Sequence, residues 1–214
     1  MPQGSPDSDH FHQRLRAGDE QALAELFAMH QKRLCRMVHF RMDPRLHGRV
    51  DPEDVVQEGY LAAVQRIDHY RQQPAMSPFV WLRLIVDQTL IDVHRHHLGA
   101  QLRDAGREVS IDARRAQATS AMLTFQLVGP GTSPSKMVVR AETFDQVEKA
   151  IAQMDPIDQE VLALRHFEEL SNSEVAEVLG IEQKAASIRY VRALRRLKTI
   201  LSLVAGFFEE EDHV

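Results

Sequence analysis

The sequence predicts an all-α chain built of two small helical domains joined by a linker. Three observations carry that expectation. Apolar residues recur at helical intervals through two long stretches, several helices open on a recognisable cap, and segments alternating with the period of a strand are scarce. Between the stretches, Gly129-Pro130-Gly131-Thr132-Ser133-Pro134 collects turn formers that oppose both helix and sheet. The 214 residues, 43% of them hydrophobic, leave room for one or two packed cores.

The first stretch runs from about Asp19 to His97. Ala22, Leu26, Met29 and Arg33, then Leu34, Val38 and Met42, follow one another at helix-like intervals. Asp51-Pro52 makes a sharp helix start, with Asp as cap, Pro in the first turn where its missing N–H costs nothing, and Asp54 near the positive end of the helix dipole. Val56, Tyr60, Ala63 and Ile67 give this helix a core face, and Glu53, Gln57 and Glu58 occupy the other. A third helix is expected from near Ser77 to His97, with Pro78 in its first turn and Trp81, Leu84, Ile85 and Leu90 as anchors. It ends in the basic, imidazole-rich run His94-Arg95-His96-His97.

From Gly99 to about Arg140 the apolar rhythm weakens and the chain reads as a linker, although Ile111 to Val128 has the composition to form a helix. The last domain begins near Thr143. Phe144, Val147 and Ile151 form one stripe, Asp155-Pro156 opens the next helix, and Val161, Leu164 and Phe167 follow.

Ser171 to Leu201 then reads as two helices joined by a tight turn. Ser171 and Glu174 have the spacing of a capping box, Val175, Ala176 and Leu179 share a side, and Gly180 suits the left-handed residue that ends a helix. In the second helix Tyr190, Val191, Leu194, Leu197 and Leu201 are expected on a buried face, with Lys184, Arg189, Arg192, Arg195 and Arg196 roughly opposite. A helix-turn-helix places its second helix in the DNA major groove, where Arg and Lys neutralise phosphates and read guanine edges.

A net charge of −5 is no obstacle to DNA binding, because the local field decides. Acidic residues concentrate in Asp51 to Glu58 and in Glu209 to Asp212, so the chain is polar: one surface for DNA, another for a basic protein partner. The acidic tail reads as a solvated end, and the functional alternative is that it shields the basic helix until a protein partner displaces it. Cys35 is the sole cysteine, which excludes an intramolecular disulfide and a cysteine-based zinc cluster; it is expected as a buried small hydrophobe. His94 and His97 share a helix face but make an incomplete metal site, so no metal or cofactor is expected. Neither a phosphate loop nor a nucleophile elbow is present, and no enzymatic activity is expected. No apolar run approaches the roughly 20 residues that span a bilayer, and the N-terminus lacks a basic start followed by an apolar core, so a cytoplasmic protein without a membrane partner is expected.

The order of these motifs resembles the extracytoplasmic-function (ECF) group of bacterial sigma factors, sigma-70 family members with regions 2 and 4 only. Gly18-Asp19-Glu20-Gln21-Ala22-Leu23 through Phe27 resembles the opening of region 2, and Asp51 to Ala63 is similar to the family's acidic core-binding helix. The resemblance implies that Glu53, Asp54, Gln57 and Glu58 contact the β′ clamp helices of core RNA polymerase. Phe79-Val80-Trp81-Leu82 through Ile91-Asp92 resembles the helix that recognises and opens the minus-10 element, with Arg83, Gln88 and Arg95 as DNA contacts; Asp87-Gln88 stands where the family usually carries Arg-Asn. Trp81 is read as a core anchor. Glu174 to Ile181 resembles region 4, and Lys184, Ser187, Arg189, Arg192 and Arg196 are the implied minus-35 contacts.

On this reading residues 1–98 form region 2, 99–142 the linker, 143–204 region 4 and 205–214 an acidic tail. The implied function is promoter-specific transcription initiation with core RNA polymerase and promoter DNA as partners, and an anti-sigma protein or other regulator as a further class of partner. The alternative is a stand-alone helix-turn-helix regulator, which usually needs a symmetric dimer to read two half-sites.

Overall fold

A computed structural model describes residues 6–72, 76–104, 119–120, 122–124 and 137–203, and every regular element among them is helical. The Gly129 to Pro134 turn cluster and the Glu209 to Asp212 tail lie outside the described residues, as does most of the expected linker; within Ile111 to Val128, residues 119–120 and 122–124 are helical.

The N-terminal half contains α1 (Pro6–Arg16), α2 (Glu20–Arg41), a 3-10 turn (Pro44–Leu46), α3 (Pro52–Gln72) and α4 (Pro78–Asp104). Helix α1 precedes the first expected element; its apolar signal is little more than Phe11 and Leu15, four residues apart, and both are buried. Asp19 caps α2, accepting from the Gln21 N–H at 2.9 Å, and Asp51 accepts from the Glu53 N–H at 2.9 Å at the start of α3. Met29, expected on the core stripe of α2, is 55% exposed, because the stripe runs through Ala22, Leu23, Leu26, Leu34, Met37 and Val38 and Met29 sits at its edge. Helix α4 continues past His97 to Asp104, with Leu98 still buried. Helices α3 and α4 approach closely at Gly59, where a Cβ would lie 2.7 Å from Val86 Cγ2 and 3.0 Å from Val86 Cα. Trp81 is buried with its ring tilted against Tyr70, centroids 4.7 Å apart.

The C-terminal half contains α5 (Met137–Ala152), α6 (Pro156–Leu162), a π turn (Ala163–Phe167), α7 (Asn172–Leu179) and α8 (Gln183–Leu203). Asp155 caps α6 through the Ile157 N–H at 2.9 Å. The capping box of α7 forms in both directions: the Glu174 N–H donates to Ser171 Oγ at 3.2 Å and the Ser171 N–H to Glu174 Oε2 at 2.6 Å. Gly180 ends α7 at φ 62°. One apolar cluster joins Leu34, Val38, Val56 and Leu82 to Val161, Leu164, Leu170, Val175 and Ala176, and a second brings Phe40 of α2 together with Val147, Ile151, Leu162 and Ala193. The two halves therefore share buried contacts.

Candidate nucleic-acid and protein interfaces

Helix α3 turns Val55, Val56, Gly59 and Ala63 inward, which leaves Glu53, Asp54, Gln57 and Glu58 exposed near its positive end. Leu61, four residues from Gln57 and three from Glu58, and Val64, three further on, continue the same side at 60% and 44% exposure. Two large apolar groups beside four polar ones are a protein-docking composition. Sequence patterning passed over Leu61 and Val64 because the core stripe already accounted for the helix; their place off that stripe was the available signal.

On α4 the three expected DNA residues separate. Gln88 Nε2 and Arg95 Nη1 both donate to Asp92 Oδ1 at 3.2 Å, so these side chains stand together near the surface. Arg83 lies on another side of the helix, buried, with its Nε donating to Glu168 Oε2 at 2.6 Å. The histidines diverge as well. Asp43 N–H donates to His94 Nε2 at 3.2 Å, and burial holds that imidazole below the usual histidine range, whereas His96 and His97 are exposed. Among the described residues no group of three or more His, Cys, Asp or Glu side chains could hold a metal. Cys35 is half-buried, and burial raises its thiol pKa.

Helix α8 buries Ala186, Ala193 and Leu201, with Tyr190, Leu194, Leu197 and Ile200 partly covered. Val191, expected on this face, is instead 47% exposed: one residue beyond Tyr190, it has rotated off the seam. It joins Ile188, Lys184, Arg192 and Arg195 in an outward stripe at spacings of three and four. Ser187 Oγ donates to Gln183 O, one turn earlier on the same helix, at 3.1 Å. Arg189 and Arg196 leave the stripe, reaching Asp158 Oδ1 at 3.4 Å and Gln153 O at 3.2 Å. The expected basic face is thus two sets, one facing outward and one tied to the domain's own helices.

Sequence reading missed the contact between the halves. In five ion pairs an arginine of α2 or α4 meets a glutamate of the C-terminal half: Arg33–Glu174, Arg36–Glu169, Arg41–Glu160, Arg41–Glu168 and Arg83–Glu168. The Glu168 carboxylate lies between two guanidinia, 2.6 Å from Arg41 Nε and 2.6 Å from Arg83 Nε. Burial alone would raise its pKa; the two arginines instead pull it down to about 2. Beside it, Phe167 stacks on Phe40 with centroids 4.7 Å apart and planes 7° from parallel. Arg33 lies over the Phe79 ring at 4.1 Å, and the Ser77 N–H donates to Glu177 Oε2 at 2.8 Å.

Known proteins share this order of elements. The family model for Sigma-70 region 2 matches residues 26–98, α2 through α4, and that for Sigma-70, region 4 matches residues 144–197, α5 through α8. The ECF RNA polymerase sigma factor SigW of Bacillus subtilis (strain 168) is 24% identical over 185 residues, covering 86% of this chain and 91% of SigW. The RNA polymerase sigma factor NccH of Alcaligenes xylosoxydans xylosoxydans is 23% identical over 188 residues, covering 88% and 91%. Among solved structures, CnrH in complex with the cytosolic domain of CnrY is alike in fold, with a TM-score of 0.50 and 21% identity over 92% of this chain and 98% of CnrH. The chain belongs to the sigma-70 family, in its ECF group, with regions 2 and 4. It is an RNA polymerase sigma factor that directs transcription initiation, a role that carries no catalysis of its own. No helix among the described residues is long and apolar enough to cross a membrane.

Proposed function

We propose that the outward face of α3 is the dock for core RNA polymerase, with Glu53, Asp54, Gln57 and Glu58 meeting the basic surface of the β′ clamp helices and Leu61 and Val64 packing beside them. The observation that carries this is the coincidence of exposed carboxylates and exposed large apolar groups on one side of a helix whose other side is core. Gln88 and Arg95 contact the minus-10 element, and Arg83, on another side of α4, can reach DNA only once the C-terminal half has moved away. Lys184, Ser187 and Arg192 enter the major groove at the minus-35 element, with Arg189 and Arg196 on its flank.

The layout that goes with this reading is region 2 over 1–98, a linker over 99–142, region 4 over 143–204 and an acidic tail over 205–214. The protein works in the cytoplasm, and an anti-sigma protein is the class of regulator that suits it. Co-purification with bacterial core RNA polymerase tests the dock. The wild-type chain is expected to bind and an Asp54→Lys, Glu58→Lys chain to lose binding; no wild-type binding, or equal binding by both, would overturn it.

A further inference from the structure

We propose that Ile188 and Val191 are specificity-determining residues of α8, reading the C5-methyl groups of thymines in the major groove of the minus-35 element. The two side chains are 50% and 47% exposed and stand three residues apart on one side of the helix. Apolar residues scattered singly over a surface are ordinary, but these two lie side by side within a basic stripe, between Lys184 and Arg195 with Arg192 at its edge. The core does not use them, because Ala186, Tyr190, Ala193 and Leu197 cover the inner side. From Gln183 to Leu203 the helix carries Lys184, Arg189, Arg192, Arg195, Arg196 and Lys198 and no carboxylate. Arg189 and Arg196 turn back to Asp158 and Gln153, whereas Lys184, Arg192 and Arg195 make no ion pair among the described residues. The surface that matches is strongly anionic with small apolar points, which describes thymine methyls between the phosphate rows of a major groove.

Position and stiffness favour direct reading. Base edges are met by the N-terminal part of a recognition helix, and Ile188 and Val191 fall within about the first three turns of α8. Their Cβ atoms, about 5 to 6 Å apart at this spacing, span one to two base steps of about 3.4 Å, so the pair suits two thymines in one short tract. Both residues are β-branched and strongly prefer one χ1 rotamer on a helix, so their methyl groups are presented at little entropic cost on binding. Thymine alone carries a methyl in the major groove. Cytosine would bring its N4 amino donor, and the purines their polar edges, against side chains with nothing to pair them. Arg195, one turn beyond Val191, neutralises phosphate and positions the helix without choosing a base. The inference rests on the reading that α8 enters the minus-35 major groove, and names within it the side chains that select the base.

The test uses holoenzyme assembled from bacterial core RNA polymerase and the full chain. A duplex library randomised across the minus-35 region is selected by binding, and thymine is expected to be enriched at two positions. On the selected duplex each thymine is then replaced by deoxyuridine, which removes the methyl and nothing else. Wild-type holoenzyme is expected to lose about fourfold in affinity at one position through Ile188 and about fourfold at a second through Val191, the worth of one buried methyl-sized group. Ile188→Ala is expected to abolish the first penalty and keep the second, and Val191→Ala the reverse. Arg195→Ala is expected to weaken every duplex alike, lower the salt dependence and keep both penalties. The deoxyuridine series on the wild-type chain stands whether or not a variant folds. The proposal is overturned if selection enriches no thymine, if no deoxyuridine lowers wild-type affinity, or if the alanine variants keep both penalties. It is overturned equally if they weaken all duplexes to the same extent, as a pair that packs on protein would. A Lys184→Ala, Arg192→Ala chain separates this inference from the reading beneath it. Loss of minus-35 selectivity in that chain, with no deoxyuridine penalty in the wild type, retains α8 as the minus-35 reader and discards the methyl contact; unchanged selectivity discards both.

Discussion

The N-terminal helices carry two charged faces of opposite sign, and the molecule treats them differently. On α3 the carboxylates of Glu53, Asp54 and Glu58 stand exposed, beside uncovered Leu61 and Val64. On α2 and α4, Arg33, Arg36, Arg41 and Arg83 pair with glutamates of the C-terminal half; Arg36 remains half exposed, whereas Arg41 and Arg83 are almost wholly removed from water. An exposed pair of charges in water is worth little, whereas a buried pair is expensive to break from one side, because the survivor is left charged and unpaired. The acidic face can therefore exchange one basic partner for another at low cost. The basic face is held closed by Glu168, which two guanidinia share.

Glu168→Gln is expected to break this contrast most severely, destabilising the closed arrangement by about 3 to 5 kcal/mol, since two guanidinia lose their shared anion. Urea denaturation checks it; a loss no larger than that of a surface substitution would mean that the pair carries no more than the exposed ones. Acid addresses the same group. Its folded pKa of about 2 lies below the ordinary 4.5, so its contribution is full above pH 4.5 and is lost as pH falls from there through about 2. That difference corresponds to about 3 kcal/mol, and the Glu168→Gln chain should show a correspondingly shallower acid transition.

Gly59→Ala tests the N-terminal half without touching either charged face. The new Cβ meets Val86 at 2.7 Å, backbone included at 3.0 Å, so a net cost of about 1 to 3 kcal/mol is expected, reduced by the better helix propensity of Ala. It should lower Tm while leaving the interdomain pairs in place. Ser171→Ala removes the hydroxyl that caps α7 and is expected to cost about 1 kcal/mol, seen as faster hydrogen exchange at the Glu174 amide. The smallest stability effect belongs to the exposed face: Asp54→Lys with Glu58→Lys should change unfolding free energy by no more than about 0.5 kcal/mol per site. A larger destabilisation would show that this face already serves the fold.

Much of the local architecture was legible in residue order. The capping box at Ser171, the turn at Gly180, and the Asp51-Pro52 and Asp155-Pro156 starts each depend on one or two side chains meeting backbone groups a few residues away, and such short-range chemistry is written in the sequence directly. The inward stripe of α3 was legible for the same reason, since helical periodicity fixes which residues share a side. Periodicity blurs at the edge of a stripe. Met29 and Val191 are apolar residues at such edges, and whether an edge position is covered depends on the neighbouring element rather than on its own helix.

What sequence alone determined was the helical class, the main caps and the acidic and basic segments, because these follow from composition, local hydrogen bonding and spacing along one helix. Tertiary structure alone decided how the arginines are divided. Arg83 pairs with Glu168, 85 residues away, Arg41 with Glu160 and Glu168 more than 100 residues away, and Arg189 and Arg196 turn back to their own domain while Arg192 and Arg195 face outward. An arginine's spacing on its helix says which side it leaves from; only the packing of distant elements fixes which carboxylate waits there, and whether water is excluded between them.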